Sequence, residues 1–177
     1  MASKKSQFSI NQISRVALLS ALCVVLRWAF ASFPNVQPIT AIFLISSIAL
    51  SLPEAILIMS TTMLVSSFLL GFGPWVLWQI FSFIIILCIW YYIFYPLTRI
   101  GSNQKKIYLM AQAVMAGFMG IIYGVAIDSC YAFLYSMPWW TYVLAGTGFN
   151  IAHAISTFLF YPLVLSIFRR LTHDKTF

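Results

Sequence analysis

The sequence predicts an all-α membrane protein: six transmembrane helices, both termini cytoplasmic, and a pocket opening outward beneath the external loops. Three observations carry this reading. Hydrophobic residues fill 62% of the 177 positions and charged residues only 7%, against about a quarter charged in ordinary soluble domains. Several apolar stretches reach the roughly 20 residues that a helix needs to cross about 30 Å of hydrocarbon. Nine of the ten basic residues stand in short clusters that fall on one side of such a bundle. The net charge of +7 is therefore topological, and no nucleic acid is expected as a partner. The spans and their short connections account for the whole chain as a single transmembrane domain, residues 1–177.

The first helix is expected over residues 11–32. Lys4 and Lys5 ahead of an apolar run, with Ala29-Phe30-Ala31 behind it, have the outline of a secretory signal. Arg15 and Arg27 interrupt that run, so it is read as an uncleaved first span. Pro34 and Pro38 then forbid continued helix. The second helix is expected over 38–52 and the third over 53–70, where Pro53 suits a first helical position and Glu54 a first turn. Gly71-Phe72-Gly73-Pro74 breaks the third, and the fourth follows over 75–97. The fifth is placed over 106–131. Ser136-Met137-Pro138 marks another break before the sixth, over 139–168.

Orientation follows from the lysines and arginines. Lys4, Lys5 and Arg15 start the chain, Arg99, Lys105 and Lys106 lie between helices four and five, and Arg169, Arg170 and Lys175 end it. The turns at 33–38, 71–74 and 134–138 hold none. The positive-inside rule places those turns outside the cell and both termini in the cytoplasm, as for a multi-pass protein of the cell membrane.

The second helix is too short for a full crossing, since 15 residues rise only about 22 Å. Either the Phe33–Pro38 segment is a tight external turn, or it lies below the membrane surface and walls a pocket. Irregular backbone at that depth survives only where protein covers it or a wet cavity adjoins it.

Polar residues inside the spans are expensive and so informative. Arg27 and Asp128 lie at similar depth in the outer parts of helices one and five. They could pair with each other, Arg27 could reach the outer headgroups, or both could face a substrate cavity. Gln79 lies one turn inside helix four. Asn150, His153 and Ser156 form a stripe along helix six, because residues three apart share a face. A hydrogen-bonded core and a functional surface both fit that stripe.

Trp and Tyr crowd the outer ends, among them Trp75, Trp78, Tyr131, Tyr135, Trp139, Trp140 and Tyr142. Interface belts explain most of them, and their asymmetry also suits a pocket for a large, partly apolar ligand. Small residues recur as well. Gly117, Gly120 and Gly124 suit packing within the bundle, and Ala17 with Ala21 suits a partner subunit. Cys23, Cys88 and Cys130 stand singly in apolar stretches, as buried thiols rather than disulfides or metal ligands.

The string Phe33-Pro34-Asn35-Val36-Gln37-Pro38-Ile39-Thr40-Ala41, followed by Gly71-Phe72-Gly73-Pro74-Trp75 and Trp78-Gln79, resembles substrate-binding S components of energy-coupling factor (ECF) transporters. Within them it is similar to the CbrT-like branch assigned to cobalamin uptake. The resemblance implies capture of a vitamin, cobalamin above all, for an ATP-driven importer. It implies as partners a transmembrane coupling subunit and two ATPase subunits, with ATP bound on the latter. The chain has no GxxxxGK[ST] phosphate loop and cannot itself be the motor. In that family an AxxxA pair on the first helix meets the coupling subunit, and Ala17 and Ala21 match it.

For a corrin edged with amides, Asn35, Gln37, Gln79, Asn150 and Tyr131 are the expected hydrogen-bonding residues, beside Arg27 and Asp128. Trp75 and Trp139 would give apolar contact, and His153 is a candidate for the cobalt face. No intrinsic cofactor or metal is expected. The alternatives are another vitamin or precursor, a structural six-helix protein, and a stand-alone facilitator. An intramembrane enzyme built on His153, Ser156 and Asp128 is disfavoured, because no GxSxG elbow, HExxH or paired carboxylates accompany them.

Overall fold

The computed structural model describes residues 9–99 and 105–172. Among these the chain is all-helical. The helices are α1 (Ile10–Ala29), α2 (Ile39–Ala49), α3 (Leu52–Leu70), α4 (Trp75–Thr98), α5 (Lys105–Leu134) and α6 (Trp139–Thr172). Five are long and apolar enough to cross a membrane, and α2, with 11 residues, is not. Of the clustered basic residues, Lys4, Lys5 and Lys175 lie outside the described residues.

Local chemistry sets the ends. Ser9 caps α1 in a reciprocal box with Gln12, which satisfies two backbone donors left free at a helix start. The helix stops at Ala29, short of residue 32, because Phe30 leaves helical geometry and Ala31 and Phe33 close tight turns back to Trp28 and Phe30. Ser51 caps α3 by accepting from the Glu54 amide, with Pro53 in the first turn. Within α4, residues Trp90–Phe94 form a π turn just ahead of Pro96. Proline has no N–H and its ring crowds the carbonyl four residues earlier, and the wider turn accommodates both.

The turns at 30–38, 71–74 and 135–138 share one end of the bundle, called the far end below. α1 and α3 run parallel, tied at the near end by a cluster on Glu54. That carboxylate, only 4% exposed, accepts from Arg15 at 3.1 Å and from Gln12 Nε2 at 3.1 Å. α5 and α6 form an antiparallel pair whose closeness depends on glycine. A Cβ on Gly120 would lie 2.9 Å from the Ala154 Cα, and one on Gly124 would collide with the Asn150 side chain. Small residues allow such approach in lipid, where apolar burial provides no drive.

α2 is the centre of the fold. Residues 39–47 are all buried, packed chiefly against α3 and α6. At about 16 Å it is too short to span alone. Its deficit is made up by the preceding segment, which lies along α6 between Phe149 and Phe160. Asn35 Nδ2 donates to the Phe149 carbonyl at 3.2 Å. The Ser156 hydroxyl bonds both the amide and the carbonyl of Gln37, and Phe30 packs edge-on against Phe160. Phe149 is ten residues into α6, so the segment is recessed about 15 Å along that helix from its tip.

Candidate ligand-binding cavity

The recessed segment leaves a two-chambered cavity at the far end. The outer chamber, about 590 Å³, lies between the segment at Pro34 and Asn35 and the facing sides of α5 and α6. Tyr123, Ile127 and Tyr131 line it from α5, spaced four apart on one face. Tyr142, Gly146, Phe149 and Asn150 line it from α6. The inner chamber, about 80 Å³, is walled by Arg27, Gln37, Thr40, Met63, Phe83 and His153. Asn35, Gln79 and Tyr123 border both chambers and form the throat between them.

Each polar wall group is held by a specific neighbour. Arg27 reaches from α1 to the Ser66 hydroxyl on α3 and to Gln79 Oε1 on α4 at 3.4 Å. Across the cavity, Asn150 Nδ2 donates to Asp128 Oδ2 at 2.8 Å. Gly124 and Gly146 make room for this pair, since a Cβ on Gly146 would collide with the Asp128 carboxylate. His153 Nε2 bonds Thr40 Oγ1 at 2.8 Å, and its ring packs on Tyr123.

Arg27 therefore lines the inner chamber and Asp128 the outer one, and the two do not form an ion pair. Arg27, Asn35, Gln37, Gln79, Asp128, Tyr131, Asn150 and His153 all border the two chambers. Trp75 and Trp139 border neither. Trp75 lays its ring over Gly73. Trp139 is 41% exposed, donates to the Ser129 hydroxyl at 2.8 Å and meets Trp140 edge-on. Ser156 acts on the backbone of the loop and leaves His153 to Thr40, so the expected Ser156–His153 pair does not form. Among the described residues no group of three or more metal-ligating side chains occurs. Thr40 and Tyr123 are wall residues that sequence reasoning missed. The four-residue spacing from Tyr123 through Ile127 to Tyr131 was the available signal for the second.

Outside the cavity lining, Ala17 and Ala21 are exposed on α1, beside Leu18, Leu22 and Val25. α1 buries its Ser20–Cys23 side against the bundle and leaves this face unpartnered within the chain.

Five long apolar helices, each contributing to the lining of one or both partly polar chambers, define a multi-pass membrane protein with an internal cavity. The family model described as ECF transporter, substrate-specific component, matches residues 11–165, and the chain belongs to that family. Its members are substrate-binding subunits of transporters and associate with a coupling and ATPase module. No curated protein and no solved structure matches the chain.

Proposed function

We propose that the far-end cavity captures a vitamin from outside the cell and that the loaded chain delivers it to an ECF coupling module, with cobalamin as the ligand. The observation that carries the capture reading is the convergence of Asn35, Gln79, Asp128, Tyr131 and Asn150 on one open cavity far from both described chain ends. Polar groups in a membrane span are costly unless something uses them. The cobalamin assignment draws on the amide and tyrosine lining, which offers donors and acceptors to the amides at a corrin's edge. His153 is not proposed as a cobalt ligand, because its Nε2 bonds Thr40. Ala17 and Ala21, on the unpartnered face of α1, are the proposed contact with the coupling subunit. Both termini are proposed to be cytoplasmic, which puts the cavity mouth outside.

A second reading is favoured by volume. About 590 Å³ lies within the range of sites for drug-sized ligands, and cobalamin is far larger than these. A smaller vitamin would fit inside, whereas a corrin would leave much of itself in the mouth. Calorimetry on the purified chain with cobalamin, riboflavin and pantothenate separates the two. Tight one-to-one binding of cobalamin alone supports the first reading. Binding of a smaller vitamin alone replaces the ligand and keeps the capture function.

A further inference from the structure

The inner chamber contains a charge, Arg27, with no counter-charge among the described residues. The sequence has three acidic residues. Glu54 is engaged by Arg15 at the near end, Asp128 is hydrogen-bonded by Asn150 in the outer chamber, and Asp174 lies outside the described residues. Among the described residues, then, no carboxylate stands within 4.0 Å of Arg27. Its known partners are the neutral oxygens of Ser66 and Gln79. A guanidinium has five donors, and these contacts leave some of them available on the chamber side.

The other polar groups of the chamber are Asn35, Gln37, Thr40, Gln79, Tyr123 and His153, so no carboxylate there competes with a negative guest for the guanidinium. The space also suits a small group. Roughly 10–15 Å³ admits one water, so about 80 Å³ admits a group of several heavy atoms but not an aromatic vitamin ring system with its substituents.

We propose that this chamber is an oxyanion subsite: it receives a carboxylate or phosphate carried by the ligand, with Arg27 supplying the charge and Asn35 and Gln79 framing the throat. A cation held in a poorly solvated cavity gains most from an anion that hydrogen-bonds to it. The body of the ligand then lies in the outer chamber against Tyr123, Tyr131 and Phe149. Among the smaller vitamins pantothenate offers a carboxylate and riboflavin offers none, and cobalamin offers one phosphodiester. The subsite rests on the reading of the cavity as a ligand site, and its test does not depend on knowing the vitamin.

The purified full chain is titrated with acetate, with inorganic phosphate and with acetamide, the uncharged counterpart of acetate, at constant ionic strength, following thermal unfolding. The expected result is binding of at least one of the two anions at least about tenfold tighter than acetamide, the scale of one charge-assisted hydrogen bond. Preference for acetate identifies a carboxylate guest and preference for phosphate a phosphoryl guest. Arg27→Gln should abolish the preference. Should that variant not fold, Gln79→Glu tests the same point, because its carboxylate would neutralise Arg27 from within and remove the preference. Equal binding of acetate, phosphate and acetamide, or no binding of any, overturns the subsite, as does a preference that survives Arg27→Gln or, where that variant does not fold, Gln79→Glu. Vitamin binding by the same sample would leave the capture reading standing in each of those cases.

Discussion

Asp128 takes its hydrogen bond from Asn150, 2.8 Å away across the α5–α6 interface, and not from Arg27. The pair exists because Gly124 and Gly146 leave space for the two side chains. Two polar groups that would be costly apart in a membrane are thereby fixed on one wall of the cavity.

That dependence on glycine gives the first prediction. Gly124→Ala and Gly146→Ala should each destabilise the fold by about 1–3 kcal/mol, the scale of overpacking. Gly148 has nothing within 4 Å of a Cβ, so Gly148→Ala should be neutral or stabilising by up to about 1 kcal/mol. Thermal unfolding of the three variants in one detergent checks the contrast.

Ser156 holds the recessed segment through both backbone groups of Gln37. Ser156→Ala removes both bonds at a cost of about 1–3 kcal/mol. Ligand affinity should fall about tenfold or more as the segment loosens. An unchanged affinity in titration calorimetry would show that the segment does not shape the site.

The near-end cluster separates two ways of breaking an ion pair. Glu54 is 4% exposed and Arg15 is 49% exposed. Arg15→Ala leaves a buried carboxylate without its cation, and Glu54→Gln leaves a half-exposed guanidinium that water can reach. The first should destabilise more than the second. Denaturation midpoints decide the order.

Wall residues and interface residues should differ in their effect on binding. Asn150→Ala and Gln79→Ala are expected to weaken the ligand at least about tenfold, the loss of one good hydrogen bond to a polar group. Trp139→Ala should leave the affinity within about twofold, because its ring lies outside both chambers.

Much of this architecture was legible in the sequence. Pro34, Pro38, Pro53, Gly71 and Pro138 punctuate the apolar runs, and the helices start and stop beside them. The shortness of α2 already set a tight external turn against a submerged loop, and the bonds from Ser156 to Gln37 hold the second arrangement. Arg27, Gln79 and Asn150 were conspicuous because lipid penalises them. Which of them touch was not legible, since similar depth in two helices says nothing about which faces meet. That is why Asp128 could be matched to Arg27 on paper and is found on Asn150. Trp75 and Trp139 were ambiguous for another reason: the same ring serves a headgroup belt or a pocket wall, and only its direction tells them apart. Thr40 stood within the Phe33–Ala41 string but was not singled out as a wall residue, its importance coming from the recessed position of α2.

The most direct test of the central claim is calorimetric titration of the purified, folded chain with cobalamin, beside riboflavin and pantothenate, repeated on Asn150→Ala. The account predicts tight one-to-one binding of cobalamin, weakened at least about tenfold by the substitution. Absence of binding for all three vitamins, or binding that Asn150→Ala leaves untouched, would contradict the assignment of this cavity as the site of capture.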